Sequence, residues 1–481
     1  MPFARTNVTS VSADERLTAP LARRGRESGP LERAADRAAG TPAVPGNRVT
    51  LRVDGPATYD GMLAMIATAR RRVHLENYII RDDATGRRFA DAMLARAAAG
   101  VRVRVLFDWI GSIGTSASYW DRLRRGGVEV RVFGRPRLDD PLLIAVRDHR
   151  KVLVVDGERG SAGGLCLGDE WLGDPARGRQ PWRDTALEVE GPAARALDAA
   201  FLRAWAAAGG PPPDDGEVPG EVEAAGDVAV RVIATEPGRE RAGRVLDLLL
   251  GVAADRIWVT EAYFAVAPRL YQALADAARA GVDVRLLVPG ASDIPSIRNL
   301  SRAGYRGLLR AGVRIWEWQG PMLHAKTIVA DGRWLRVGSS NLNPSSLLAN
   351  WELDLFVDHE ALAQEAEHRF VLDLSHASEV VLQPRRLPGV LERIDRKAPV
   401  EPLAERHAPG FRERRRRAFV LASTVVRGAR AAVFGPLAML LFVVSAVFFL
   451  LPVPAALAAA IGSLLVALAL AVRALGHRAR G

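Results

Sequence analysis

The sequence predicts an α/β protein of two pseudo-symmetric repeats whose sheets face each other across one active site, followed by a C-terminal transmembrane helical hairpin. Three observations predict it. A short motif, H-x-K-x4-D, occurs twice, as His149-Arg150-Lys151 with Asp156 and as His324-Ala325-Lys326 with Asp331. The strand-like and helix-like segments around the first copy return around the second at an offset of about 175 to 185 residues. Two uncharged apolar runs of membrane-spanning length, 431–451 and 453–472, lie near the C-terminus.

Taken in order, residues 1–46 are rich in Arg, Ala, Pro and Gly, show no apolar periodicity and carry no signal-peptide core, so a disordered basic tail is expected. Its Arg23-Arg24 pair either stays solvated or touches acidic lipid. The first repeat, 47–208, begins with strand 73–80, helix 87–99 and, after Gly100, strand 101–107. Residues 209–226, opening Gly209-Gly210-Pro211-Pro212-Pro213, are a linker by composition. The second repeat, 227–385, restates the pattern as strand 257–264, helix 268–280 and, after Gly281, strand 282–288. Gly127-Val128-Glu129-Val130 likewise returns as Gly312-Val313-Arg314-Ile315.

A basic juxtamembrane segment, 386–430, follows, with Arg412-Glu413-Arg414-Arg415-Arg416-Arg417 at its centre. Such clusters are drawn to anionic headgroups. The two membrane helices of 431–472 are separated only by a turn around Pro452 and Pro454. Arg427 and Arg430 precede them, and the basic tail 473–481 carries Arg473, Arg478 and Arg480. Positive charge on both flanks predicts a hairpin in the inner, cytoplasmic membrane, with the catalytic part in the cytoplasm. The Ala-rich second run either spans or is re-entrant. Much of the net charge of +11 lies in the two tails, so it speaks for an anionic membrane surface at least as strongly as for nucleic acid. The single cysteine rules out an intramolecular disulfide.

The motif points to phosphoryl chemistry. Lysine is scarce: only three of the 66 Lys and Arg residues are lysines, and two of those stand in the motif. A neutral imidazole can attack phosphorus, and a second can protonate the departing oxygen. On an extended strand a lysine two residues on shares the histidine's face. Two such strands would surround one tetrahedral anion with His149, Lys151, His324 and Lys326. Lysines that supply the positive charge leave no need for a metal, and no cofactor is expected. Small residues follow each copy, and Gly164, Ser339 and Asn341 are the expected phosphate contacts. Asp184 and Glu352, carboxylates in short strand segments, are expected to orient the histidines. Asp156 and Asp331 complete the catalytic motif, but five residues past lysine they are expected to anchor a strand end or turn.

These residues carry a resemblance. His149, Lys151, Asp156, Gly163-Gly164, Gly168-Asp169-Glu170 and Trp182-Arg183-Asp184-Thr185 in one half, with His324, Lys326, Asp331, Gly338-Ser339-Ser340-Asn341 and Glu352 in the other, resemble the phospholipase D superfamily. Within it the chain is similar to the bacterial cardiolipin synthases, over roughly residues 48–385. Glu76-Asn77-Tyr78-Ile79, Asp108-Trp109-Ile110-Gly111-Ser112 and Tyr263-Phe264 fit as well. The resemblance implies a covalent phosphohistidine, with His149 as nucleophile and His324 as acid and then base. It also implies phospholipid substrates, phosphatidylglycerol first, and a phosphatidyltransferase that makes cardiolipin. Two departures stand out. Cys166 occupies a position where the family usually has Asn, which either removes a phosphate contact or is a small packed residue. The membrane runs are C-terminal, where many bacterial cardiolipin synthases carry theirs at the N-terminus.

Other functions use the same residues. A phospholipase D that hydrolyses or exchanges headgroups is the nearest rival. A superfamily nuclease needs a basic groove with aromatic platforms; the ten Trp allow it, but the membrane runs make nucleic acid an unlikely partner. His74 is expected to pack, and His359, His368 and His376 have spacings poor for a metal. Glu76 and Tyr78, with Glu261 and Tyr263, either line the site's mouth or are satisfied polar groups at a strand end. Arg183 is a candidate contact for lipid phosphate.

Overall fold

Alternation of Val-rich strands with amphipathic helices produces the same seven-strand unit twice. The computed structural model describes residues 30–136, 146–211 and 220–382. In the first half the strands are β1 (Val44–Val53), β2 (Arg72–Asn77), β3 (Arg102–Asp108), β4 (Glu129–Phe133), β5 (Lys151–Val155), β6 (Arg159–Gly163) and β7 (Thr185–Glu190). Their counterparts are β8 (Val228–Thr235), β9 (Arg256–Thr260), β10 (Asp283–Pro289), β11 (Arg314–Trp318), β12 (Thr327–Ala330), β13 (Trp334–Gly338) and β14 (Glu352–Asp358), with β15 (Ala377–Val380) added at the edge. β2, β3 and β4 run parallel, as do β9, β10 and β11, because helices make the crossovers. β5 and β12 then return antiparallel to β2 and β9.

The strand order reads β15-β11-β10-β9-β12-β13-β14-β8-β1-β7-β6-β5-β2-β3-β4, a palindrome about the β8–β1 pair apart from the edge strand β15. The expected facing sheets are thus also joined edge to edge. Asn47 makes the join: its amide nitrogen donates to the carbonyls of Val44 (2.6 Å) and Val228 (3.0 Å), and its side-chain oxygen accepts from Ala193 N (2.8 Å). The two halves also share a core. Val152, Val154, Ala162, Leu187 and Val189 meet Val329, Leu335, Val337, Leu353 and Leu355, joined by Leu197 and Ala200 of helix Ala194–Ala207 and by Leu362 and Ala363 of helix Glu360–Leu374. Each such Val or Leu side chain stabilises by roughly 1.5–3 kcal/mol. The shared core therefore binds the two halves to each other by apolar burial.

Local chemistry shifts several expected boundaries. The helix expected over 87–99 is Ala84–Ala98, because the Asp83 carboxylate caps Gly86 N at 2.9 Å. The strands expected to reach residues 80 and 264 leave the ladder at Asn77 and Thr260, freeing the next residues for the site.

The tail expected to be disordered to residue 46 is structured from residue 30. Helix Pro30–Ala39 places Ala35 and Ala39 in buried positions, and Arg231 donates to Glu32 (2.8 Å) and Asp36 (2.7 Å). An alanine stripe too weak in hydropathy to show as periodicity is enough once a buried arginine anchors it. No helix among the described residues is long and apolar enough to cross a membrane. The expected juxtamembrane segment from 386, the hairpin 431–472 and the tail 473–481 lie outside them.

Candidate active site

Each histidine stands just before the strand that returns beside the parallel strands, and backbone pairing to the opposite half fixes it there. His149 N donates to Trp351 O (2.9 Å), and Trp351 N donates to Arg147 O (2.8 Å). In mirror fashion His324 N donates to Arg183 O (2.7 Å), and Arg183 N donates to Met322 O (3.0 Å). Trp351 and Arg183 immediately precede Glu352 and Asp184. Each histidine is thereby set against the carboxylate of the other half. His149 Nδ1 lies 3.0 and 3.1 Å from the Glu352 oxygens, and His324 Nδ1 lies 2.8 Å from Asp184 Oδ2. With Nδ1 engaged, Nε2 is the nitrogen left for chemistry on both rings.

The carboxylates are held in turn. Glu352 accepts from Ser339 Oγ (2.5 Å) and Ser346 Oγ (2.6 Å); Asp184 accepts from Trp171 Nε1 (2.9 Å) and Thr185 N (2.8 Å). Each lysine ammonium donates to the carbonyl oxygen of its own histidine. Lys326 Nζ also lies 3.1 Å from His324 Nδ1. Burial lowers both histidines, with the nearby lysines adding to it, and His324 falls to about 3. Burial likewise brings Lys326 down to about 8. Burial works to raise Asp184 and Glu352, but the adjoining imidazole, lysine and hydrogen-bond donors keep each below its ordinary value. Near neutrality the site therefore holds neutral imidazoles, ionised carboxylates and a cationic Lys326. That is a set built to bind and attack an anionic phosphorus centre.

Some expected residues serve other ends. Asp156 and Asp331 lie at the far ends of β5 and β12, in left-handed conformation (φ 57° and 52°). Asp156 accepts from the backbone N–H groups of Arg70, Arg71 and Arg72 at 2.7–2.9 Å, and Asp331 from Ala254, Asp255 and Arg256 at 2.9 Å. They belong to the turns and not among the catalytic groups. Gly164, expected at the phosphate, spends its N–H on Thr185 O (3.1 Å), and a Cβ there would stand 2.1 Å from Asp184 Oδ1. Its smallness makes room for the carboxylate. Ser339, likewise expected at the phosphate, donates its hydroxyl hydrogen bond to Glu352. Asn341 is buried, with Oδ1 unpaired, at the position Cys166 fills in the first half. Cys166 is buried too, near enough to Lys151 and Lys326 for their charges to act on its thiol. Arg183 is no lipid contact: it is buried against Asp373 (2.8 Å) and Thr185 Oγ1 (2.9 Å). His74 packs on Phe201 with Nδ1 2.7 Å from Asp198.

Tyr78 and Tyr263 wall the site. Their rings stand 4.9 Å from His149 and 5.9 Å from His324, with Lys151 Nζ and Lys326 Nζ over them at 5.1 and 5.8 Å. Of the two readings of these tyrosines, the geometry favours the lining of the site. Trp171 and Ser346 were invisible to the motif reading. The one available signal for Ser346 was the helix-start pattern Asn343-Pro344-Ser345-Ser346, in which Asn343 caps Ser346 N at 2.9 Å. No cluster of three or more potential metal ligands occurs among the described residues.

Comparison with known proteins follows this geometry. A family model described as cardiolipin synthase, PLD-like domain, matches residues 62–170 and 247–373, once in each half. The cardiolipin synthase of Halalkalibacterium halodurans is 34% identical over 364 residues, spanning 73% of this chain and 70% of that protein. Cardiolipin synthase A of Pseudomonas aeruginosa is 35% identical over 358 residues, spanning 74% and 72%. The crystal structure of phosphatidylserine synthase from Haemophilus influenzae Rd KW20 shares the fold, with a TM-score of 0.57 over 73% of this chain and 92% of that one, at 14% identity. With both repeats matched and about a third of the residues identical over most of its length, the chain belongs to the cardiolipin synthase family of phospholipase D-like proteins.

Proposed function

We propose that the protein is a phosphatidyltransferase that makes cardiolipin from phosphatidylglycerol and a second phospholipid through a phosphohistidine. The observation that carries this is the crossed pair of carboxylate-held imidazoles, each with Nε2 unengaged, beside two lysines. His149 Nε2 attacks the phosphorus of phosphatidylglycerol, the P–O bond to glycerol breaks, and His324 gives that oxygen its proton. A hydroxyl of the second lipid then yields its proton to His324 and attacks phosphorus, breaking the P–N bond and restoring His149. Lys151 and Lys326 offset the charge on the phosphoryl oxygens throughout. His149 as the first attacker follows the family resemblance. A bound phosphodiester supplies the negative charge that draws a proton onto His324 against its burial.

On this reading the apolar runs 431–451 and 453–472 form a hairpin that anchors the enzyme in the cytoplasmic membrane, with the Arg-rich segment before it on anionic headgroups. The test is product analysis by mass on protein reconstituted in phosphatidylglycerol vesicles. Wild type is expected to form cardiolipin and free glycerol, with turnover abolished in His149→Ala and His324→Ala. Phosphatidic acid as the main product would make the enzyme a hydrolase. Full activity in both variants would overturn the site.

A further inference from the structure

Two loops, one from each half, border the tyrosines that wall the histidines. In the first half the loop after β3 is clamped onto the backbone beside Tyr78. Asp108 Oδ1 accepts from Ile110 N (2.9 Å) and Gly111 N (3.0 Å), while Ser112 Oγ donates to Tyr78 O (3.2 Å) and accepts from Ile80 N (3.0 Å). Gly111 lies so close to Tyr78 that a Cβ would stand 2.1 Å from its carbonyl oxygen. This well-tied loop nevertheless holds Ile113 out to solvent, 68% exposed. In the second half the loop after β10, the counterpart of β3, is tied to Tyr263, whose hydroxyl donates to Asp293 at 3.0 Å. It exposes Ile294 (41%), and Leu300 (61%) follows on helix Pro295–Ala311.

A single exposed isoleucine means little. The same apolar exposure at the matching place in both halves, each time on the loop that backs a site tyrosine, is a constructed rim. Arg81, about a third exposed and ion-paired with Glu170 (3.3 Å), comes near Gly114, and Arg306 is exposed three turns along the helix that follows Ile294. Apolar tips on the two loops that back the site tyrosines suit the boundary between acyl chains and headgroups. We infer that Ile113, Ile294 and Leu300 insert into the bilayer surface and seat the mouth of the site on the membrane that holds its substrate. The choice of a lipid surface as occupant rests on the phosphatidyltransferase reading, because the loops are tied to the tyrosines beside both histidines and the substrate of that reaction lies in a bilayer.

The native Cys166 is buried, so a thiol-reactive fluorophore will label cysteines introduced at Ile113→Cys or Ile294→Cys in the full chain. Arg279→Cys, at the end of helix Pro268–Arg279 just before β10 and so at the other end of that strand from the Ile294 loop, is the control. In proteoliposomes of phosphatidylglycerol with brominated acyl chains, labels at 113 and 294 are expected to be quenched and the label at 279 to be unaffected. Unquenched tips in a preparation that makes cardiolipin would overturn the inference, whether a second copy or another segment covers them. Quenched tips with no cardiolipin would leave the surface standing and count against the proposed reaction. The Ile113→Asp, Ile294→Asp double variant is expected to need about ten-fold more phosphatidylglycerol per unit surface for half-maximal rate. Its rate on a short-chain, monomeric phosphatidylglycerol is expected to be unchanged. An equal loss on both substrates would place these residues in the site's own support and overturn membrane seating.

Discussion

Lys326 holds its proton less tightly than an ordinary lysine because burial, with Lys151 close by, penalises its charge; it sits at about 8. An ammonium is charged below its pKa and neutral above it, so the free enzyme loses phosphate-binding charge as pH rises through about 8. The expected kcat/KM profile for phosphatidylglycerol therefore falls on the alkaline side near pH 8. The kcat limb should lie higher, since a bound phosphate holds the proton on. The orienting carboxylates make a separate prediction. Glu352→Gln and Asp184→Asn keep the shape but lose the charge that supports the imidazolium. Roughly 10²–10⁴-fold in kcat is expected to be lost with little change in KM, as when a triad carboxylate is replaced by its amide; steady-state kinetics in mixed micelles reads both constants. The histidines and lysines were legible because lysine is so rare here that its recurrence in one frame could not be background. Ser346 and Trp171 were not: each lies on a short helix outside the motifs, and its bond to the nearby Glu352 or Asp184 depends on a side-chain direction that spacing does not reveal.

Among the elements, the turn after each motif strand shows why an aspartate repeated in both motif copies need not be catalytic. Asp156 adopts φ 57° and receives three backbone N–H groups from the entry to β2, so it locks a hairpin to its neighbouring strand. Asp156→Ala loses all three charge-assisted bonds and places alanine in a left-handed conformation, a destabilisation of about 3 kcal/mol or more. Asp156→Asn retains an oxygen acceptor and tolerates that conformation, so the expected loss is smaller. Chemical unfolding measures both, and the kcat of the folded fraction should stay near wild type, which a catalytic aspartate would not allow. Strand and helix types were readable here from the change between alternating and three-to-four spacing. Their ends were not, because Asp83 and the release of Tyr78 from the ladder are settled by hydrogen bonds that spacing does not reveal. Helix Pro30–Ala39 escaped for a related reason: its ion pairs are to Arg231, in the other half.

Across the whole molecule, the active site belongs to neither repeat. His149 depends on Glu352 and His324 on Asp184, and the backbone bonds of Trp351 and Arg183 that set these distances also cross between halves. The internal offset made two facing repeats legible, but the crossing of carboxylates needed the register of Asp148 with Trp351 and of Arg183 with Leu323. A cut at about residue 215, in the stretch whose composition predicts a linker, leaves His149 and Asp184 on one fragment and His324 and Glu352 on the other. The shared core and the β1–β8 pairing should bring the fragments back together, since apolar burial binds the two halves to each other. Each fragment alone is expected to be inactive on phosphatidylglycerol, and the co-expressed pair to regain most of the intact rate. Activity in one fragment alone would require two copies to build the site between them, and its rate would then rise with the square of fragment concentration. A rate linear in one fragment would mean that a single half holds a complete site, and the crossed arrangement would be wrong.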